Sequence, residues 1–228
     1  MAKTSSVLVV DCDEVLVKIN QKWYNDFIAN PRIKEFLLDT QIDPSQIHWN
    51  VNTRKNYFLL NHLNFQSPSD LPEEIDKIFM DTYFSNPTFY DDLPISNYFK
   101  ALFNIFETHS HFIKELHVVT HTMDNSAPVL KSKNKFLLDY LKTINKKIPV
   151  KLHFLEKHEK KSECINNEIG YYDSFVDDAL HNIEDVIENT DSYNKEFLIP
   201  LYTYNSVFHD KANHEKDRNI AISYFNNG

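Results

Sequence analysis

Glycine is almost missing from this chain, with two in 228 residues. Neither a GxGxxG dinucleotide loop nor a glycine-rich P-loop can be written with so few. Cysteine is equally scarce. Cys12 and Cys164 are too few for a disulfide framework, so a reducing, cytoplasmic compartment is the expectation. No hydrophobic run approaches the roughly 18 residues of a membrane helix. The start, MAKTSSVLVV, goes from one lysine straight into a strand-like run, unlike a signal peptide. Positive charge is also short. There are 24 Lys and Arg against 33 Asp and Glu, a net charge of −9, which argues against broad nucleic-acid binding. No membrane partner is expected either.

What is present reads as globular: 42% hydrophobic and 25% charged residues. The length suits one sizeable domain, or a core plus a smaller insertion. The abundance of Asn, Lys, Ile, Phe and Tyr fits an AT-rich coding genome, viral genomes among them.

The chain is organised around VLVVDCDEV, residues 7–15. Val7, Leu8, Val9 and Val10 suit a strand buried on both faces, as in a parallel sheet. Asp11 and Asp13 follow and put two carboxylates at the carboxyl edge, where open α/β sheets bind ligands. Alternation directs both to the same side. Two such charges repel unless a cation or a shared proton offsets them, and Mg²⁺ takes oxygen ligands. A strand ending in Asp-x-Asp is also a common polar turn, so the rest of the chain must supply context.

Ile19, Trp23, Phe27 and Ile28 recur at helical spacing, and Pro31 ends that run. Residues 32–89 read as helices without strand alternation, and so as a small helical cap inserted between 1–31 and 90–228. Pro94 opens a helix with Tyr98, Leu102, Phe103, Ile105 and Phe106 inward. Leu116–Val119 is a strand ending at Thr120. Asn134–Thr143 is a helix with Phe136, Leu137, Tyr140 and Leu141 inward. Val150–Leu155 is a strand, and Ser162–Ile169 a short helix. Ser174–Val176 is a strand ending in Asp177 and Asp178. Asn182–Ile187 is a helix and Phe197–Ile199 a fifth strand. The polar tail from Lys211 closes on one last helix. Alternating strands and helices predict a Rossmann-like α/β core with a parallel sheet.

Three strands thus end in reactive side chains at one edge: Asp11 and Asp13, Thr120, and Asp177 and Asp178. This pattern resembles the haloacid dehalogenase (HAD) superfamily of phosphotransferases. VLVVDCDEV is similar to its first motif, HVVT to its second and SFVDD to its fourth, and the insertion resembles its C1-type cap. Within that superfamily the 5′(3′)-deoxyribonucleotidases are the branch most resembled. Val15-Leu16 follow Asp13 as in their DxDGVL pattern, and Pro200 and Asn205 resemble their Pro-Tyr-Asn segment. Glu14 stands where that pattern has glycine. The resemblance implies Mg²⁺, a nucleoside monophosphate substrate and a homodimer.

The chemistry fits these residues. A phosphate monoester needs a nucleophile, an acid for the leaving oxygen and charge neutralisation. Asp11 is the candidate nucleophile and Asp13 the candidate general acid and base. Asp11, Asp178 and Asp177 are candidate Mg²⁺ ligands; the resemblance adds the main-chain carbonyl of Asp13. Thr120 and its neighbour His121 are candidate phosphate contacts. Two lysines compete to neutralise the transferred phosphoryl group. The resemblance favours Lys133, with Lys161 as a second contact. The expected function is phosphomonoester hydrolysis. The alternatives are a phosphatase of another small metabolite or of nucleic-acid 3′ ends, and a non-catalytic binding protein that kept the fold. Trp23, Trp49, Tyr57, Phe58, Phe65 and Tyr83 could stack a base, although aromatics at helical spacing are more often core. His117 and His121 flank a strand too widely for one ion. His109, His111, His153, His158 and His181 show no ligand spacing with cysteine, so hydrogen-bonded or surface roles are expected.

Overall fold

Ser6–Val10 forms β1, the central strand. Its side chains alternate: Val7 and Val9 enter one apolar cluster, Leu8 and Val10 another. This is why the run carries no polar residue. The computed structural model describes residues 6–40, 73–124, 126–202, 215–216 and 218–227. Around β1 lie β2 (Ile113–Met123), β3 (Val150–Glu156), β4 (Ser174–Val176), β5 (Glu196–Pro200) and β6 (Ala221–Phe225). All neighbours are parallel, in the order β3-β2-β1-β4-β5-β6. The fold is a doubly wound, Rossmann-like α/β sheet. Its order reverses between β1 and β4, the place where such sheets bind ligands.

Helices cover both faces. On the Val10 face, α4 (Asn97–His109) and α5 (Val129–Asn145) bring Phe99, Leu102, Phe106, Phe136, Leu137 and Ile144. On the Val9 face lie α6 (Lys161–Cys164), a π-helical turn at Ile165–Ile169, and α7 (Leu180–Asn189). Helical spacing misplaces two side chains: Ile105 is 42% and Tyr140 39% exposed. Ser96, not Pro94, starts α4, its hydroxyl accepting from the Phe99 amide at 3.0 Å.

Pro31 begins a helix as well as following one. α1 (Asn20–Ala29) stops, Asn30 caps the Arg32 amide at 2.9 Å, and Pro31 opens α2 (Pro31–Asp39). With α3 (Glu73–Phe84), these helices bury a cluster of their own: Tyr24, Phe27, Ile33, Leu37, Ile75 and Phe79. α1, assigned to the core on sequence, therefore contributes to the helical unit. The remainder of the expected cap, with Trp49, Tyr57, Phe58 and Phe65, lies outside the described residues, as does Asn205.

The tail does not close on a helix: Glu215, Lys216 and Arg218 are helical, and residues 221–225 after them form β6, pairing with β5 from Glu196↔Ala221 to Pro200↔Phe225. Ile220 and Ile222 are buried against the sheet with Tyr224 beside them, a period of two rather than 3.6. Beyond β6 the buried Asn227 donates to the Glu14 carbonyl at 2.7 Å and accepts from the Tyr98 amide at 2.9 Å.

Glu14 has φ +58°, in the left-handed region that costs an ordinary side chain about 1–2 kcal/mol. This explains why glycine suits the position in the resembled pattern. Here the turn is over-determined. The Glu14 amide donates to the Val17 carbonyl at 2.7 Å, and Tyr202 Oη donates to the Glu14 carbonyl at 2.8 Å. The carboxylate accepts from the Asn20 amide at 2.7 Å, at the start of α1, where Ile19 offers no side-chain cap. Glu14→Ala keeps the strain and strands that amide. It should lower unfolding free energy by about 1–3 kcal/mol. Glu14→Gly relieves the strain and should lose less. Urea midpoints of the two variants check this, and equal losses would show that the backbone conformation carries no cost.

Candidate active site

Register sets the level of each strand-end group. Val10 pairs with both Val118 and Val176, so Asp11 and Asp177 leave the sheet side by side. The Asp11 amide donates to the Val176 carbonyl at 2.8 Å, fixing the end of β1 against β4. Thr120 lies two residues beyond the Val118 pair, within β2 rather than at its end. β2 runs on to Met123 because His121 and Met123 still pair with β3. β2 and β3 thus rise past the end of β1 and wall one side of the site.

The carboxylates of Asp11, Asp177 and Asp178 converge, with one oxygen from each within 4.8 Å of the others, and all three residues are buried. Lys161, the first residue of α6, is 1% exposed. Its Nζ lies 2.8 Å from Asp11 Oδ1 and 2.6 Å from Asp177 Oδ2. Asp177 is held from every side. Oδ1 takes the Ala179 amide at 2.9 Å, and Asn182 Nδ2 lies 3.2 Å from each oxygen. Burial works against ionisation of Asp11, but Lys161 and then Lys133 outweigh it and hold the carboxyl below its usual range. Asp177 is pushed the other way, by burial and by the Asp11 charge, against the pull of Lys161.

A second buried lysine serves Asp13. Lys133 of α5 is fully buried, and its Nζ donates to Asp13 Oδ2 at 2.9 Å, Thr120 Oγ1 at 2.8 Å and the His121 carbonyl at 3.1 Å. Burial alone would lower its pKa, but Asp13 and nearby Tyr83 reverse the effect and keep it charged. Asp13 Oδ1 also accepts from Tyr90 Oη. With the Tyr90 proton committed there, Tyr83 Oη is the donor to Tyr90 Oη at 2.8 Å and lies 3.3 Å from Asp13 Oδ2. Burial, then the Asp13 charge, pushes both phenols up, so they remain donors.

Lys161, the second candidate on sequence, therefore stands against Asp11, while Lys133 stands against Asp13 and Thr120. The Asp13 carboxylate is apart from the three-carboxylate cluster. The His121 ring nitrogen Nε2 lies 2.9 Å from the Glu159 carbonyl, so that nitrogen donates there. Trp23 stacks on Phe79 and Tyr83 at 4.4 and 4.8 Å, so the two described aromatics of the proposed base platform are packed together. Tyr90 and Asn182 were not singled out on sequence. Nothing in their spacing distinguishes Tyr90 from the core aromatics around it. Cys12, between the two acids, is fully buried, and burial followed by the Asp13 charge raises its thiol well above the ordinary range. It is no nucleophile.

The donor set suits Mg²⁺. It offers carboxylate oxygens only, and four carboxylates (Asp11, Asp13, Asp177, Asp178) face two ammonium groups, leaving two negative charges over. Beside Lys161 opens a cleft of about 620 Å³ lined by His121, His158, Lys160, His181, Asn182 and Asp185 among others.

No protein-family model matches the chain, and no curated protein matches it in sequence. Among solved structures it is similar to a HAD-superfamily hydrolase, subfamily IA, variant 1, from Geobacter sulfurreducens. The identity is 9% over 97% of this chain and 87% of that one, with a TM-score of 0.39.

Removing Lys161 leaves Asp11 and Asp177 buried together without their cation. Lys161→Met should cost about 3–5 kcal/mol of stability. Millimolar Mg²⁺ should restore part of it, more than it adds to the unchanged protein. Urea titrations with and without Mg²⁺ read this directly. A variant as stable as the parent, or indifferent to Mg²⁺, would contradict the charge balance described.

Proposed function

We propose that the chain is a Mg²⁺-dependent phosphomonoester hydrolase of HAD type, acting through an aspartyl-phosphate on nucleoside monophosphates. The observation that carries this reading is the buried Asp11 carboxylate, held ionised by Lys161 beside Asp177 and Asp178, with Asp13 fixed separately two residues on. The arrangement supplies a nucleophile and a proton-transfer group with separate environments, as two-step phosphoryl transfer requires.

An Asp11 oxygen attacks phosphorus, and the bond from phosphorus to the leaving alcohol breaks. Asp13, ionised in the resting site, takes the proton that a phosphate-monoester monoanion brings and passes it to the leaving oxygen. In the second step Asp13 takes a proton from the water that attacks the aspartyl-phosphate, which returns Asp11 and releases inorganic phosphate. Lys161 neutralises charge on Asp11 and on the transferred group. Thr120 accepts from Lys133 and so keeps its own hydroxyl proton to donate to a phosphoryl oxygen. Asp11, Asp178, Asp177 and the Asp13 carbonyl would hold Mg²⁺, which when bound shields the carboxylates from the phosphate. Tyr83 and Tyr90 position Asp13. The polar cleft beside Lys161 suits a small hydrophilic substrate rather than a lipid, and the net charge of −9 weighs against nucleic-acid ends.

Phosphate release from a panel of deoxy- and ribonucleoside monophosphates, sugar phosphates and a 3′-phosphorylated oligonucleotide tests the proposal. Nucleotides should be hydrolysed, EDTA should abolish turnover, and Asp11→Asn should lower kcat by at least about 10³-fold. Turnover surviving in Asp11→Asn would remove the mechanism. Hydrolysis of sugar phosphates alone would remove the nucleotidase assignment and leave the chemistry. Tyr90→Phe should lower kcat about tenfold with KM unchanged, the pattern of a group that matters only as the proton moves. An altered KM at full kcat would make Tyr90 a substrate contact instead.

A further inference from the structure

Away from the acid cluster, on the α6 face of the sheet, four side chains make one continuous chain of contacts. Glu115 Oε1 lies 3.3 Å from His117 Nε2, His117 Nδ1 lies 2.9 Å from His153 Nε2, and His153 Nδ1 lies 2.8 Å from Glu168 Oε2. The two imidazoles lie nearly parallel, 16° between planes. Two of these contacts are hydrogen bonds, and two neutral imidazoles supply both protons: His117 Nδ1–H to His153 Nε2 and His153 Nδ1–H to Glu168. That tautomer turns the His117 Nε2 lone pair toward the Glu115 carboxylate at 3.3 Å, and the other tautomer, which donates to Glu115, takes the proton away from the His153–Glu168 contact. Lys151, paired with Glu115, offsets charge at the outer end but puts no proton on the His117 nitrogen.

Cys164 stands beside the His153–Glu168 contact. A donor atom each from His153, Cys164 and Glu168 lie within 4.8 Å of one another. Sulfur, imidazole nitrogen and carboxylate oxygen form a borderline-soft set that favours zinc-class ions over Mg²⁺. The Cys164 and His153 side chains are buried and Glu168 is 60% exposed, so the cluster has a solvent side for entry. The spacing 153, 164, 168 follows no ligand motif, because β3 contributes one residue and the α6 segment two.

We propose that His153, Cys164 and Glu168 form a site for a divalent transition-metal ion of the zinc class, oriented by the Glu115–His117 pair. The ion takes the place of the proton between His153 and Glu168. His153 then donates its Nε2–H to His117 Nδ1, and His117 donates its Nε2–H to Glu115, so every contact has one proton or the ion. This is the outer-shell pattern that fixes the tautomer of a metal-ligating histidine. Cys164 binds as thiolate and releases its proton. The ion ties β3 to α6 three residues from Lys161, at a place separate from the Asp11 cluster.

Cobalt is the probe. Metal-stripped full-length protein is titrated with Co²⁺ in millimolar Mg²⁺, which keeps the carboxylate cluster supplied. One equivalent should produce a thiolate-to-cobalt charge-transfer band, which Zn²⁺ then displaces. The band should vanish in Cys164→Ser and persist in Asp11→Asn. Glu168→Gln, an exposed change that does not threaten folding, should weaken Co²⁺ at least tenfold. His117→Ala should weaken it about 10–100-fold without removing the band. No band in the parent protein, or a band that survives Cys164→Ser, overturns the proposal. Neither result bears on phosphate release, so this inference and the phosphatase reading fail separately.

Discussion

Lys161 between Asp11 and Asp177 is the contact on which the rest of the structure depends. A lysine that is 1% exposed pays a desolvation cost of several kcal/mol, and so does each buried carboxylate. Only close mutual pairing offsets it, and that pairing fixes three elements at once. Asp11 leaves β1, Asp177 leaves β4, and Lys161 opens α6. The register Val10↔Val176 sets the two acids level, and Lys161 meets them from the first residue of α6. Lys133 repeats the device on the other side of β1, from α5 to Asp13 and Thr120. Two buried ammonium groups from opposite faces of the sheet thus meet the carboxylates at one edge. The doubly wound order makes this possible, because its reversal at β1 leaves the crevice open between crossovers.

The two acids that follow β1 acquire separate characters from those surroundings. Asp11 sits among like charges and depends on Lys161 to stay ionised. Asp13 sits among donors: an ammonium and the Tyr90 phenol, which Tyr83 in turn contacts, both phenols keeping their protons because of burial. Like side chains in unlike environments are how one site assigns unlike roles. The tyrosines carry a further consequence. Tyr83 ends α3 and stacks on Trp23 of α1, so the helical unit reaches Asp13 through aromatic contact rather than through a flexible link.

Much of this was legible in the residues. β1, β4 and the acids after them could be read because an apolar run buried on both faces gives way to charge where the strand leaves the sheet. The parallel class followed from strand and helix alternation. Other features were not legible for physical reasons. β6 was missed because its period-two signal, Ile220, Ile222 and Tyr224, is short and follows a polar stretch that reads as helix. Tyr90 looked like core because it is core, and its hydroxyl is what matters. Burial separates Lys161 from the solvated Lys160 beside it, and no local pattern encodes burial. The convergence of His153 with Cys164 needs a strand and a helix to be laid against each other, which spacing along the chain cannot express.

Glu14 shows how far the neighbourhood of Asp11 is specified. A turn of left-handed backbone just after Asp13 asks for glycine, and this chain has almost none. Glutamate occupies it because its carboxylate, carbonyl and amide each find a partner, from Asn20, from Tyr202 with Asn227, and from Val17. Asn227 lies past β6, so the far end of the chain closes the turn that follows Asp13. The strand that sequence periodicity missed is therefore a support of the site and not an appendage. The sheet must be complete to its sixth strand before the loop carrying both acids is fixed. Strain accepted at one residue is balanced by contacts drawn from the opposite end of the sequence.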